Sequence, residues 1–300
     1  EFVIPAGLNC ISTGIDFTGA GVDGNNVRFI DANTANLNYG VSYPDDFIKN
    51  TNPNVFVPVY TAGDPLGGGN SGTSIGFIGF AFNSTGTPAS PITLPQSALG
   101  TVWGTAYSKQ AQRIFTSAFM KRQVGFGPMG SGGIYMLEPT VGSFNVTPFY
   151  DMDTAGYRTR AAAGAIAYGA GSSFTITGGT IIDYNGPIDA ASGFPEGLGV
   201  IGTNVDRGLP ASKTADCNDP AAFDQVGKVS LGDLEISDDG KFLFVMNLYD
   251  RKLYRLELNS ATNPTGVIAV TSIALPAIAV TNGEIRPFAV SYHRGNLFVG

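Results

Sequence analysis

Gly232-Asp-Leu-Glu-Ile-Ser237, Asp238-Asp-Gly-Lys241, Phe242-Leu-Phe-Val-Met-Asn247, Tyr249-Asp-Arg251 and Lys252-Leu-Tyr-Arg-Leu-Glu-Leu258, closed by Val267–Leu275, decide the fold. The apolar residues follow a period of two, the spacing of a half-buried strand, and the breaks fall on turn residues. Asp-Gly at 239–240 supplies the positive φ that a tight hairpin requires, so it sets the register of the strands on either side. The unit reads as four antiparallel strands in about 44 residues, the size of one β-propeller blade.

A second copy lies upstream. Val102–Tyr107 aligns with the first strand, Arg113–Phe119 with the second, Gly133-Ile-Tyr-Met-Leu-Glu138 with Lys252-Leu-Tyr-Arg-Leu-Glu257, and Phe144–Phe149 with the fourth. A third copy starts at Arg286-Pro287-Phe288-Ala-Val-Ser-Tyr292, turns at Arg294-Gly-Asn296 and stops within Leu297–Val299. Further strands are expected at Val27–Ile30, Val55–Tyr60, Ile75–Phe82, Pro91–Leu94 and Ser173–Thr177. The reading is an all-β chain: residues 1–300 form a single β-propeller, or most of one, of four-stranded antiparallel blades. The chain ends mid-blade, and because an unpaired inner strand is an exposed edge, the natural polypeptide is expected to continue beyond 300. Residues 150–230, rich in Ala, Gly and Asp, interrupt the pattern as a degenerate blade or as an insertion over one face.

Composition agrees. The 300 residues contain 41 Gly and 18 Pro, and charged residues make up 14% against about 25% in an average soluble domain. With 43% apolar residues the chain can bury a core. The net charge of −7 argues against a surface that neutralises nucleic-acid phosphates or anionic lipid. No apolar run is long and uninterrupted enough for a membrane helix. Residue 1 is Glu with no basic and apolar leader after it, which suggests an exported chain whose leader has been removed.

His293 is the one histidine, which excludes a multi-histidine zinc site within the chain; it reads as the end of a strand entering a turn. Cys10 and Cys217 lack CxxC spacing. Each lies in a polar, loop-like stretch; either they pair as a disulfide in an oxidising compartment or they stand apart. Asp233 and Glu235 sit at i and i+2 of an inner strand and project to one face. With Glu284 they are the candidate ligands for Ca2+ or another hard cation in a central channel, against the simpler reading that an acid–base pair such as Glu235 with Arg286 ties neighbouring blades together. Asp151-Met-Asp153 and Asp216-Cys-Asn-Asp219 have similar but weaker spacing. Gly67–Gly72 lacks the Lys-Ser/Thr of a phosphate loop and reads as a hairpin loop. Lys121-Arg122 reads as a solvated turn, and Trp103 as core packing or as a channel-facing ring able to stack on a sugar. Asn83 and Asn145 open N-x-[ST] sequons, and Thr154 lies in an Asp-Thr-apolar triplet, so these three are glycosylation candidates.

Ile236-Ser-Asp-Asp-Gly-Lys-Phe-Leu-Phe-Val-Met-Asn247 resembles the repeat of YVTN/lactonase-type β-propellers, where a DG turn precedes a strand ending in Asn. Gly104–Tyr107 through Phe119–Arg122, Gly125-Phe-Gly-Pro128, Gly133-Ile-Tyr135, Asn247–Tyr254 and Arg286-Pro287 are similar to the propeller module of large bacterial surface proteins, which often carry SdrD-like or other adhesin-type B repeats. The resemblance implies an exported, cell-surface propeller and carries over no settled activity; the low charge and abundant Gly, Asn, Ser and Thr favour a non-enzymatic extracellular scaffold for adhesion or assembly. Its partners would be other surface proteins, glycans or further domains of the same polypeptide. The competing readings are a metal-dependent, lactonase-like hydrolase using Asp233, Glu235 and Glu284 with a channel metal to activate water, and a carbohydrate-binding propeller.

Overall fold

The turn chemistry at Asp238–Lys241 forms as its residues dictate. Gly240 takes φ +71°, its N–H donates to the Ser237 carbonyl, and the Ser237 hydroxyl donates to Asp239 Oδ1 while accepting from Phe242 N–H. Such local bonds fix the register of the two strands they join. The structure is a computed structural model describing residues 9–13, 39–42, 52–160, 173–176, 179–182, 201–223, 225–276, 278, 285–293 and 295–300. Of residues 9–13, 39–42, 173–176 and 179–182 only the backbone is described.

The chain divides into two compact units, one of Glu1–Val55 with Phe80–Ala89 and one of Phe56–Gly79 with Ser90–Gly300. In the first unit, β1 (Asn9–Thr13) pairs antiparallel with β2 (Tyr39–Ser42). The sheets of interest lie mainly in the second. The first has the order β3 (Asn54–Pro58), β4 (Ile75–Ala81), β5 (Ile92–Pro95). The next is a four-stranded meander of β6 (Val102–Ser108), β7 (Arg113–Ala118), β8 (Gly133–Pro139) and β9 (Phe144–Asp151). A hairpin of β10 (Ser173–Ile176) and β11 (Gly179–Ile182) follows. A second meander contains β12 (Leu231–Ile236), β13 (Phe242–Asn247), β14 (Lys252–Leu258) and β15 (Val267–Ile273). The last hairpin joins β16 (Val290–His293) to β17 (Asn296–Val299).

The two meanders repeat each other in detail. In one, Val102 opposes Ala118 and Thr105 opposes Thr116; in the other, Leu231 opposes Asn247 and Leu234 opposes Val245. Each therefore carries one extra residue at the same place on its first strand, a bulge that bends the strand and increases its twist. A glycine sits inside each bulge, Gly104 and Gly232. A Cβ on Gly104 would lie 2.6 Å from the Leu234 nitrogen, and one on Gly232 would lie 2.8 Å from the Phe288 carbonyl oxygen. In both sheets glycine is what lets the first strand approach the backbone that follows in the stack.

The sheets pack face to face through separate apolar layers. Phe77, Leu94, Ile114, Tyr135, Leu137 and Phe144 fill the space between the β3–β5 and β6–β9 sheets. Phe115, Phe149, Leu234, Ile236, Val245 and Leu256 fill the next, between the two meanders. Phe244, Met246, Leu253 and Val290 fill the last, between the second meander and β16–β17. Successive faces of each meander are thus apolar, as two-sided burial requires. Ile201, Ala222 and Val229 add a fourth layer against Ala118, Met120 and Phe126.

The expected strand boundaries hold within two residues for most elements, with three corrections. Cys10 lies on β1, not in a loop, and β2 and β11 were not expected at all. The strand expected from Phe288 starts at Val290, because Phe288 directs its carbonyl to the Asp233 N–H of the neighbouring sheet at 3.0 Å. Gly67–Gly69 precedes a single helical turn, Asn70–Thr73, instead of capping a hairpin; Ser71 N–H donates to the Ala211 carbonyl, and a Cβ on Gly69 would meet that oxygen at 2.4 Å. Val27–Ile30 lies outside the described residues. Within 150–230 the described parts are a self-paired hairpin and a packed, mostly strand-free segment from Ile201 to Ser230.

Candidate functional site

β12, the first strand of the second meander, lies between β6, the first strand of the other meander, and β16. Ser117 Oγ of β7 donates to the Gly232 carbonyl at 2.8 Å, and Asp233 N–H donates to the Phe288 carbonyl, so polar bonds run from one sheet to the next. The Trp103 ring packs against Phe119 and Phe288, with all three centroid separations 5.6 Å. Phe119 is 7% exposed, yet Trp103 remains 47% exposed. Core packing therefore accounts for only part of the indole surface.

Half-buried Asp233 and Glu235 alternate on β12 with Leu234 and Ile236, which enter the core between the meanders, and Asp233 reaches β16. Asp233 Oδ1 accepts from Leu234 N–H at 3.0 Å, and Oδ2 from Val290 N–H at 3.3 Å. Glu235 Oε1 accepts from Ile236 N–H at 3.0 Å. Burial raises the Asp233 carboxyl above its ordinary 3.8, opposed by those two backbone donors. Burial likewise raises Glu235 above 4.5, and the charges of Asp233 and Asp238 add to the effect. Glu284 lies outside the described residues; among those described, no three His, Cys, Asp or Glu side chains converge as a metal-binding group. His293 ends β16, exposed, before a turn with Gly295 at φ +80°.

The weaker acidic candidates are occupied by the protein's own donors. Asp151 caps its loop through Asp153 N–H, Thr154 N–H and the Thr154 hydroxyl. Asp153 accepts from Ser131 Oγ, Thr159 Oγ1 and Thr159 N–H. Lys121-Arg122 is no free turn: Lys121 Nζ stands 4.6 Å over the Tyr60 ring, and Arg122 donates to the Asn218 carbonyl. Cys217 is a half-buried free thiol raised by burial, and Gln123 Nε2 donates to its carbonyl; the Cys10 side chain is outside the described residues. Asn83, Asn145 and Thr154 are all exposed, with Asn83 bonded to Asn52, Asn145 to Glu138 and Thr154 to Asp151.

Two buried polar clusters escaped the sequence. Arg207 and Asp219 form a fully buried pair, Nη2 to Oδ2 at 2.6 Å and Nε to Oδ1 at 3.2 Å. The same guanidinium donates to the Lys121 and Val124 carbonyls, and Asp219 also accepts from Gln123 N–H. Asn204 exchanges two bonds with the Phe126 backbone, as a strand neighbour would, and donates to buried Asp64. Nothing in local spacing connects Arg207 to Lys121. The mixture of Asn, Asp and Arg in an otherwise weakly charged segment is the one available signal.

The arrangement offers an aromatic platform and two carboxylates at the edge of three strands. No family model matches the chain, and no solved structure matches it. It is similar to Colossin-D of Dictyostelium discoideum, with 24% identity over 202 residues that make up 67% of this chain and 16% of that protein. The chain thus spans about a sixth of the length of the relative it matches.

Proposed function

We propose that the stacked sheets are successive blades of a β-propeller, and that this propeller is a non-enzymatic extracellular scaffold whose loops and rim serve adhesion or assembly at a surface. The observation that carries the reading is the repeated step from sheet to sheet. Each meander has its bulge at the same place on its first strand, and within each bulge a glycine, Gly104 or Gly232, closely approaches the backbone of the next sheet. Repetition of one such step about an axis generates a propeller, with inner strands at the centre. Similarity to a small part of a much longer protein fits a module within a large chain. The acidic pair supports structure before chemistry, because three of its four oxygens accept backbone N–H groups.

The test pairs surface labelling with a turnover assay. An antibody against the second unit is expected to bind intact, unpermeabilised cells of the source organism. The purified protein is expected to hydrolyse no lactone or aryl ester above buffer, with or without added Ca2+ or Zn2+. Metal-dependent turnover abolished by Asp233→Asn would replace this reading with the hydrolase.

A further inference from the structure

We propose that the inner ends of β6, β12 and β16 form a binding site for a neutral saccharide, with Trp103 as the stacking platform and Asp233 and Glu235 as acceptors for sugar hydroxyls. The inference deepens the scaffold reading by naming the chemistry of one partner. It rests on that reading only for the position of the three strands near a common axis.

Trp103 is the chain's one tryptophan, and it sits at a bulge of β6, where a strand re-aims its side chain. Phe119 and Phe288 brace the ring through tilted and edge-on contacts, leaving nearly half of the residue exposed. A large apolar ring held rigid and half-solvated loses little entropy on binding, and it suits the C–H face of a pyranose. The carboxylates stand on the adjacent strand: the carbonyl of Phe288, whose ring touches the indole, accepts from Asp233 N–H. Each Asp233 oxygen uses one lone pair on a backbone donor, which fixes the carboxylate and leaves capacity for a further O–H. Glu235 follows at i+2 on the same face with Oε1 anchored in the same way.

The charge of the site selects the ligand class. Two half-buried carboxylates on a chain of net charge −7 repel sialylated, sulfated and phosphorylated sugars, whereas hydroxyl donors are what such acceptors need.

The single tryptophan makes the test direct. Intrinsic fluorescence of the full chain is titrated with glucose, galactose, mannose, N-acetylglucosamine, cellobiose and lactose, and with sialyllactose as the anionic comparison. Calorimetry repeats any positive pair. The expected result is a saturable emission change with at least one neutral sugar and none with sialyllactose. Glu235→Gln should weaken binding about tenfold, the value of one charge-assisted hydrogen bond. Trp103→Ala should abolish calorimetric binding while the melting temperature stays within a few degrees, since the ring is half exposed. No saturable change with any neutral sugar overturns the inference, as does binding that survives Trp103→Ala at unchanged affinity. Neither result touches the scaffold reading, which stands or falls on surface labelling and turnover.

Discussion

Replacing Arg207 by Met tests how the strand-free segment is held on the sheets. Both side chains of the Arg207–Asp219 pair are fully buried and joined by two hydrogen bonds. Met keeps most of the stem's volume next to Phe126, over whose ring the guanidinium lies at 5.6 Å, so the main loss is electrostatic. Asp219 then remains as a buried charge with one backbone donor, from Gln123, and the Lys121 and Val124 carbonyls lose the guanidinium, although Lys121 keeps Val124 N–H. Removing one member of a buried pair costs about 3–5 kcal/mol. At about 2 °C per kcal/mol for a body of this size, the melting temperature should fall by roughly 6–10 °C. Adding Asp219→Asn removes the stranded charge, keeps an acceptor for Gln123 N–H and suits the left-handed backbone at φ 45°. The double variant should therefore regain at least half of the loss. Urea denaturation of the wild type, both single variants and the double variant closes the cycle. A cost below about 1 kcal/mol for Arg207→Met, or strictly additive single effects, would refute the argument.

Gly104→Ala places a Cβ 2.6 Å from the Leu234 nitrogen and 2.7 Å from Ser117 Oγ, so it should destabilise by about 1–3 kcal/mol in chemical denaturation. Phe115 is fully buried and meets Phe149 edge-on at 5.1 Å; Phe115→Ala should cost about 3–5 kcal/mol by the same measurement. Glu235 has a folded-state pKa raised above 4.5, so its contribution to stability is full below that value and is lost as pH rises through the folded value. Glu235→Gln should accordingly be more stable than wild type at pH 7, with the difference vanishing below about pH 4. Equal stability at both ends of that range would show that burial does not govern this carboxyl.

Local chemistry made the sheets legible. Period-two runs, Asp239-Gly240 and the repeated Ile/Leu-Tyr-x-Leu-Glu strand locate both meanders, because each strand pairs with the strand next to it in sequence. Strands without that locality were missed: β1 is a polar Asn-Cys-Ile-Ser-Thr segment whose partner β2 lies far along the chain. For the candidate site, the alternation of half-buried Asp233 and Glu235 with buried Leu234 and Ile236 follows from the period of the strand, whereas the bond from Val290 N–H of β16 to Asp233 did not follow. The exposure of Trp103 follows the same alternation, with Val102 and Gly104 buried on either side of it, whereas its ring contact with Phe288 comes from a segment far along the chain and did not follow. Lys121, Arg122 and Arg207 look like solvent-facing charges in sequence; their partners are loop carbonyls, ring faces and a carboxylate brought together only by packing of the strand-free segment.

The repeated step between sheets is tested most directly by an experimental structure of the complete native polypeptide. The account predicts four-stranded sheets arranged radially, with β6, β12 and β16 next to one another around a central axis and Trp103 open at their inner end. Sheets that instead close into a two-layer sandwich, with β6 or β12 as an outer edge, would contradict it.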